Sequence, residues 1–329
     1  MIKPIKISAF GSYLPEKVSS SDLEMKYGLP LGWSEKYSGV KSRHHVTFES
    51  NGYMGAKAAD QALENAGLNL SDVSLLISAS GTYDYPIPNQ ASVIKAQMKD
   101  GISANTPAID IDSTCLSFVT AFEIAANLFD NKNYKHILIV CSEISSKAIN
   151  PSNWETLTLF GDAAVAVLVS YDESLKSHYI KGGQKTYSEG VHEAMIEGGG
   201  NKNFFKEYSY SPELHSFKMN GRQLLRLAHQ KIPDFMAWFF KDSGYLLSDL
   251  DAIIPHQASK TGNAVFSQLY DLEPGVIKSN LADRGNCIAA SIPLALMEAI
   301  AIGEIKRGDV CLISGTSAGF SIGGVLFKY

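Results

Sequence analysis

Two stretches of the chain share one pattern: "AGLNLSDVSLLISAS" at residues 66–80 and "SGYLLSDLDAIIPHQAS" at residues 243–259. Glycine, leucine, serine and aspartate stand at the same offsets in both stretches, without a gap. Each stretch follows a segment with helical apolar spacing, carries a glycine where that helix would stop, and runs into apolar residues typical of a buried strand. The pattern predicts the same unit twice: a helix, a loop and a buried strand.

A second match follows in the same order, between "CLSFVTAFEIAANLFDNKNYKHILIVCSE" at residues 115–143 and "NCIAASIPLALMEAIAIGEIKRGDVCLISGT" at residues 286–316. Both are predicted to form an apolar helix, a polar turn and a buried strand. Two matches in one order indicate an internal duplication, with halves at residues 1–172 and 173–329. Strands that alternate with helices predict an α/β protein with buried, mixed or parallel sheets.

The composition excludes several classes of protein. The chain has 329 residues, of which 45% are hydrophobic and 19% charged, so a large globular core is expected. The net charge of -5 provides no broad basic surface for nucleic acid or anionic lipid. No window resembles a membrane span and the first residues lack the apolar core of a signal peptide, so we expect a cytoplasmic protein.

The cysteines do not suggest a metal centre. All four lie far apart and none belongs to a C-x-x-C pair, so reduced thiols are expected and no metal site is predicted. Cys115 is the one that stands at the mouth of an apolar, helix-like run. Two interpretations are open from this stretch alone. The thiol is either a buried core group or a nucleophile whose pKa is lowered by the start of a helix.

Two further polar residues occupy comparable places. His256 leaves a predicted strand beside Pro255, and Asn286 stands in a glycine-bearing turn before an apolar helix. Each has an ordinary structural interpretation, a hydrogen-bonded histidine and a helix cap respectively. In open α/β sheets, however, functional groups gather beyond the carboxyl ends of strands. The repeat places Cys115, His256 and Asn286 at such strand-end or helix-start positions.

Five motifs together carry a resemblance to a known family. They are "DSTCLSF" (112–118), "FGDAAVAVLV" (160–169), "PHQAS" (255–259), "GNCIAAS" (285–291) and "GTSAGFSIGGVLFKY" (315–329). In order and spacing they resemble the 3-ketoacyl-acyl-carrier-protein synthase III family of the thiolase superfamily, over essentially the whole chain. The resemblance implies an α/β, thiolase-like duplicated fold, layered α-β-α-β-α, with two mixed five-stranded sheets. Cys115 would belong to the first half, and His256 and Asn286 to the second.

The resemblance also implies roles for the site residues. Cys115 would carry the acyl group, while His256 and Asn286 would hydrogen-bond the enolate left when a malonyl-type thioester loses carbon dioxide. The backbone N–H groups of Cys115 and of the loop at Ala318 and Gly319 would form an oxyanion hole. The product would be a 3-ketoacyl thioester. No cofactor is implied beyond the substrates, acyl-CoA or acyl-carrier-protein thioesters.

Several residues depart from the family pattern around the donor. Trp33 matches the tryptophan that stacks on the adenine of coenzyme A, and Arg43 follows in register. The two arginines that complete the adenine site in the family are replaced by Tyr37 and Trp154. These replacements make coenzyme A a less favoured donor than in the family.

Other departures fall around the nucleophile. Ser259 stands where the housekeeping enzyme has asparagine, and Leu116 follows Cys115 where alanine is common. The loop starting at Thr316 reads Thr-Ser-Ala-Gly-Phe in place of Phe-Gly-Gly-Gly-Phe. A reshaped acyl pocket would follow, and with it a specialised branch in a fatty-acid or polyketide-like pathway.

Alternatives remain open at this stage. On the same fold, the acyl group could pass to an oxygen or nitrogen nucleophile, or two acyl chains could be joined head to head. The chain could also be an inactive partner subunit of a condensing complex. The family is typically a homodimer, and the resemblance places "TYDYPIPNQASVIKAQ" at the interface, with Ile87 as a wall of the neighbour's acyl tunnel.

Overall fold

The structure is a computed structural model that describes residues 3–130, 132–204 and 211–329. The strands are β1 (Lys6–Tyr13), β2 (Glu16–Ser19), β3 (Ser42–His45), β4 (Leu75–Ala79), β5 (Ala108–Ile111), β6 (His136–Glu143), β7 (Ala163–Ser170), β8 (His178–Thr186), β9 (Ala194–Met195), β10 (Lys218–Met219), β11 (Ala252–Pro255), β12 (Val310–Ser317) and β13 (Ser321–Lys328). The α-helices are α1 (Ser20–Tyr27), α2 (Trp33–Tyr37), α3 (Asn51–Ala66), α4 (Gln90–Gln97), α5 (Ser117–Leu128), α6 (Trp154–Leu157), α7 (Gly221–Phe240), α8 (Lys260–Leu269), α9 (Leu281–Arg284) and α10 (Ser291–Ala301).

The first half of the chain forms a mixed five-stranded sheet in the order β1-β7-β6-β4-β5. β4 pairs in parallel with β5 and β6, whereas β7 is antiparallel to both β1 and β6. Every residue of β7, "AAVAVLVS", is buried. A strand covered on both faces has no solvent side, which is why its sequence is a continuous apolar run instead of an alternating one.

The second half forms a mixed sheet of four strands in the order β11-β12-β13-β8, where five were expected. The fifth position is reduced to a single bridge: Ile253 N–H donates to the Val276 carbonyl at 2.8 Å, and Lys278 N–H donates to the Ile253 carbonyl at 2.9 Å. A turn at Gly275, with φ of 88°, precedes this segment, and α9 follows closely. The extended segment is therefore too short for a full strand.

The layers follow the expected order α-β-α-β-α. α5 and α10 lie between the two sheets, because α5 contacts β6 and β13 while α10 contacts β7 and β11. α3 and α4 cover the outer face of the first sheet, and α7 covers that of the second. One core cluster accordingly includes buried residues from both sheets and both central helices. No α-helix among the described residues is long and apolar enough to cross a membrane.

The repeated unit predicted from the sequence is present in both halves. α3 leads through a 3-10 turn at Leu70–Asp72 into β4, and α7 leads through a 3-10 turn at Leu247–Asp249 into β11. Gly67 ends α3 with φ of 67°, as expected. α7 instead ends at Phe240, ahead of Gly244. The boundary at 172/173 falls between β7 and β8, and the division into two halves at that point stays a prediction.

The sequence after β8 fits no periodic pattern and predicts a long glycine-containing loop. β9 lies in this segment and pairs with β10, which follows it. Gly190 packs against Phe320, since a Cβ added to Gly190 would lie 2.4 Å from the phenylalanine Cβ. Part of the predicted loop, residues 205–210, lies outside the described residues. The described part therefore rests on the turn between β12 and β13.

The two central helices begin in the same way. A 3-10 turn at Thr114–Leu116 precedes α5 and one at Ile288–Ala290 precedes α10. Thr114 and Ile288 have φ of 50° and 49°, an uncommon left-handed conformation for non-glycine residues. In each case a serine hydroxyl, of Ser117 or Ser291, accepts the N–H of the residue four positions earlier at 2.9 Å. The repeat therefore extends to the conformation of the turns.

The turn that contains Asn286 is fixed to the first half by its backbone. Asn286 N–H donates to the Leu159 carbonyl at 2.9 Å, and Gly161 N–H donates to the Asn286 carbonyl at 3.0 Å. The approach is close at Gly161, where a Cβ would lie 2.2 Å from the Arg284 carbonyl oxygen. Only glycine permits this distance without a backbone shift.

We expect Gly161→Ala to destabilise the protein by about 1–3 kcal/mol, because the added methyl group would push the Asn286 turn away from β7. Gly200→Ala is the matched control, since a methyl group added at Gly200 would meet none of the described residues within 4 Å and the φ of -95° is open to alanine. Chemical unfolding of both variants measures the difference. Equal stability of the two variants would contradict the close approach.

Candidate active site

Cys115 lies where the sequence predicts a nucleophile, in the 3-10 turn directly before α5. The residue is half-buried. The backbone N–H groups of Ala318 and of Cys115 itself lie near its sulfur and act to lower its pKa. These are the two donors that the resemblance assigns to an oxyanion hole. In the structure they lie beside the thiol itself.

The predicted lowering of the Cys115 pKa is wrong. Burial is the largest influence and, with the negative charge of Glu143, raises the pKa to about 12, although the two backbone N–H groups act in the opposite direction. The helix start supplies a favourable field, but removal of the sulfur from water costs the thiolate more. Cys115 is therefore a neutral thiol near pH 7.

His256 follows β11 and is almost fully buried, with 5% of its surface exposed. Its backbone N–H donates to the Ser314 carbonyl on β12 at 2.8 Å. The ring nitrogen Nδ1 is buried and has no hydrogen-bond partner among the described residues. Burial lowers the pKa of the imidazole to about 4. The ring is therefore neutral at physiological pH, in the form that donates a hydrogen bond from one nitrogen.

Asn286 acts partly as the cap that its sequence position suggested. Its Oδ1 accepts the Ile288 N–H at 2.9 Å. This bond settles which way the amide points, because the oxygen is committed to the turn. The amino group Nδ2 is left as the donor, and a donor is what an enolate oxygen would require.

The end of β12 and the turn after it bring the candidate residues together. His256 borders Gly315, where a Cβ would lie 2.5 Å from the histidine Cβ. The Ala318 N–H lies near the Cys115 sulfur, and the Thr114 hydroxyl donates to the Ala318 carbonyl at 3.3 Å. The turn carrying Asn286 contacts the turn carrying Cys115. Gly319, with φ of 79°, allows the chain to reverse directly after Ala318.

Trp33 and Trp154 also meet, as their shared assignment to the donor site predicts. Their rings pack edge to face with centroids 5.1 Å apart. Tyr37 covers Trp33 at a centroid distance of 4.0 Å and an interplanar angle of 36°. The tyrosine that replaces the family's arginine therefore occupies a face of the indole on which an adenine would stack.

Arg43 differs from its predicted role in substrate binding. Its side chain has no exposed surface. One guanidinium nitrogen, Nη2, donates to the Ser20 hydroxyl at 3.0 Å and to the Thr158 carbonyl at 2.8 Å. Burial lowers the pKa of the guanidinium to about 10, and the charge of Glu24 opposes that shift. Arg43 joins α1 to the segment after α6, so in this structure it is a buried structural residue.

The remaining residues that the sequence assigns to the substrate pocket lie in different surroundings. Ser259 caps α8, since its hydroxyl accepts the Gly262 N–H at 2.9 Å, so this oxygen is already engaged. Leu116 is fully buried in the central core beside Gly323. Thr316 is half-buried on β12, two residues before Ala318. A role in choosing the acyl chain stays a prediction for Leu116 and Thr316, and a role in substrate binding stays one for Ser259.

Comparison with known proteins places the whole chain in one family. The family model described as 3-oxoacyl-[acyl-carrier-protein (ACP)] synthase III matches residues 109–185, and its C-terminal companion matches residues 240–329. The chain is 32% identical over 330 residues to the beta-ketoacyl-[acyl-carrier-protein] synthase III of Vesicomyosocius okutanii, with 100% of both chains covered. This chain belongs to the 3-oxoacyl-[acyl-carrier-protein] synthase III family.

Other members of the synthase III family agree. The Neisseria gonorrhoeae enzyme is 32% identical over 326 residues, with 98% of this chain and 99% of the relative covered. The crystal structure of the Aquifex aeolicus synthase III superimposes with a TM-score of 0.88 at 28% identity, covering 99% and 100% of the two chains. The predicted family and the predicted α/β thiolase-like fold class are therefore confirmed.

The segment assigned to a synthase III dimer interface is exposed in the described chain. Ile87 is 87% exposed, and Tyr83 and Tyr85 are each 57% exposed. Ile109 on β5, the edge strand of the first sheet, is 41% exposed. An apolar surface of this kind is typical of a protein interface. The homodimer itself stays a prediction.

Sequence reasoning missed one residue of this site, Glu143, the last residue of β6. Its carboxyl is fully buried. Oε1 accepts the Gly81 N–H at 2.7 Å and Oε2 accepts the Thr82 hydroxyl at 2.5 Å. The signal that could have found it is an acid two residues beyond the apolar run Ile137–Cys141, because a strand of this kind buries its end as well.

Because the His256 imidazole is buried, we expect the free energy of unfolding to depend on pH. In the unfolded chain the His256 pKa returns to about 6.5, whereas it is about 4 in the folded protein. The unfolded chain then binds more protons between these values, so stability is lost as pH falls through this window. We expect a loss of about 3 kcal/mol from this residue between pH 7 and pH 4. Urea unfolding of wild type and His256→Gln at both pH values measures it, and a parallel loss in the two proteins would contradict it.

Proposed function

We propose that this chain is an acyl-thioester condensing enzyme. An acyl group is loaded on Cys115, and a decarboxylative Claisen condensation with a malonyl-type thioester then gives a 3-ketoacyl thioester. The observation that supports this most is the arrangement around the thiol: two backbone N–H groups near the sulfur, with a neutral imidazole and a free amide donor on the neighbouring segments.

In the loading step, the Cys115 sulfur attacks the carbonyl carbon of the donor thioester. A new carbon–sulfur bond forms, the bond to the donor's sulfur breaks, and the outgoing thiolate takes up the proton that Cys115 loses. The Cys115 thiol brings to this step the proton that the leaving group needs, while its raised pKa keeps the nucleophilic thiolate scarce at neutral pH. The backbone N–H groups of Cys115 and Ala318 would stabilise the tetrahedral oxyanion.

In the condensing step, the malonyl carboxylate leaves as carbon dioxide and its bonding electron pair becomes an enolate. His256 and Asn286 would each donate a hydrogen bond to the enolate oxygen. A neutral imidazole is a suitable donor, because a charged one would protonate the carbanion. The carbanion then attacks the acyl carbonyl, the new carbon–carbon bond forms, and Cys115 is released as a thiolate that recovers a proton.

The surroundings of the site support a finer proposal, a specialised member of the family that takes its acyl group from a carrier protein more readily than from coenzyme A. Tyr37 occupies a face of Trp33, and Arg43 is buried. The loop from Thr316 to Phe320 differs from the family pattern next to the nucleophile. A fatty-acid or polyketide-like pathway with an unusual starting chain fits these changes.

We expect intact-mass analysis to detect an acyl adduct on Cys115 after incubation with a panel of acyl thioesters, and the adduct mass to identify the accepted chain length. Cys115→Ala should lose the adduct, whereas Cys141→Ala, at a fully buried thiol, should keep it. Asn286→Ala should keep the adduct but lose about 10²–10³-fold in carbon dioxide release from a malonyl thioester, because one transition-state donor is gone.

Each other outcome identifies a different function. An adduct without carbon dioxide release would favour acyl transfer to oxygen or nitrogen, or head-to-head condensation. The absence of an adduct with every thioester tested would favour an inactive partner subunit. Equal turnover with acetyl-CoA and with any longer donor would remove the specialised-branch proposal.

The donor proposal has its own test in Tyr37→Ala. Freeing the face of Trp33 should lower the KM for acyl-CoA by about 2- to 10-fold, the effect of gaining one aromatic pair, and should leave the KM for acyl-pantetheine unchanged, since that donor has no adenine. Tyr27→Ala is the control, because its ring faces Lys26. A KM change for both donors, or for neither, would contradict the stacking argument.

A further inference from the structure

Glu143 connects three segments of the active site through one buried carboxyl. It ends β6 and accepts the N–H of Gly81 and the hydroxyl of Thr82 from the loop after β4. The backbone of Ala289, in the turn before α10, lies close enough to lower the pKa of the carboxyl. No ion pair among the described residues includes it. A carboxyl in this setting is held entirely by neutral donors.

The loop that Glu143 holds is the one on which both catalytic turns rest. A Cβ at Gly81 would lie 3.3 Å from Thr114 Cα and 3.4 Å from Ile288 Cγ2. Gly81 therefore fits between the turn that carries Cys115 and the turn that follows Asn286. Because β6, which Glu143 ends, also contacts the turn at Ile288–Ala290, the carboxyl lies beside both the loop and one of the two turns packed on it.

The same carboxyl influences the charge of the site. Burial raises the Glu143 pKa to about 8, the hydrogen bonds from Thr82 and Gly81 and the backbone of Ala289 act against that shift, and Asp112 adds to it. In its ionised form Glu143 raises the Cys115 pKa. The other titratable groups that interact with it are the thiols of Cys141 and Cys287. Near pH 7 the carboxyl is thus largely neutral, and above pH 8 it is largely an anion.

We propose that Glu143 is a positioning residue that holds the Cys115 and Asn286 turns in one arrangement and suppresses the reactivity of Cys115 when it loses its proton. This inference rests on the proposed function only in taking Cys115 as the nucleophile. Glu143 has no contact with the reacting atoms in this account. It acts through the Gly81 loop, through the Ala289 turn and through its charge.

The test is the rate of Cys115 alkylation by iodoacetamide as a function of pH, followed by peptide mass analysis. A thiol with a pKa near 12 gains about tenfold in rate per pH unit. In the wild type we expect this rise to become shallower near pH 8, where Glu143 ionises. Glu143→Gln keeps a carbonyl acceptor and an amide donor but has no charge, so its rise should continue without the break.

The matched control is Glu123→Gln, which removes a half-buried carboxyl on α5 that bonds the Tyr179 hydroxyl. It should keep the break near pH 8. Glu143→Ala leaves the Gly81 N–H and the Thr82 hydroxyl without their acceptor, and we expect it to slow alkylation or acyl loading at pH 7 by at least about tenfold.

A second variant covers the case in which Glu143→Gln does not fold. Thr82→Val removes a donor that stabilises the carboxylate, so the Glu143 pKa should rise and the break should move to higher pH. Any of three results would overturn the inference: the pH profile of the wild type shows no break, the break persists in Glu143→Gln, or Glu143→Ala is alkylated as fast as the wild type. Alkylation needs no acyl substrate, so the pH profile can be interpreted even if the proposed condensation does not occur.

Discussion

The burial of α5 and α10 between two sheets is the constraint on which the rest of the structure depends. Both helices are apolar on almost every side, and neither could be stable in water. Packed together between sheets, they bring their N-termini to neighbouring positions. The nucleophile and the amide donor stand directly before these N-termini. Packing of the core therefore fixes the site, and the loops around it adjust its specificity.

Much of this arrangement could be predicted from the sequence because apolar periodicity and turn residues are local signals. The repeat of glycine, leucine, serine and aspartate in two stretches predicts two equivalent helix–strand units, which the structure contains. The shortened fifth strand at Ile277 was not predicted, since strand length depends on the turns at both ends and on the neighbour available for pairing. Such pairing is a property of the folded sheet.

The same distinction between local and long-range signals applies to the candidate site. Cys115, His256 and Asn286 could be found because their motifs are contiguous and their positions repeat. Their electrostatics could not, since the balance between a helix start and burial depends on side chains brought from distant segments. Cys115 illustrates this: Ala318 and Glu143, far away in sequence, set the environment of its sulfur. Arg43 illustrates it again, because a basic residue in a donor motif proved to be enclosed by α1 and the segment after α6.

The two turns before α5 and α10 also show how little separates a nucleophile site from an enolate site. Position for position, Asp112 matches Asn286 and Cys115 matches Ala289. Asp112 Oδ1 accepts the Thr114 N–H at 2.8 Å, just as Asn286 Oδ1 accepts the Ile288 N–H at 2.9 Å. The same backbone conformation therefore occurs twice, with different side chains at the equivalent positions. In the proposed reaction, the first copy would provide electrons through a sulfur atom and the second a hydrogen-bond donor through an amide, so the difference in role would rest on two side chains in an otherwise common scaffold.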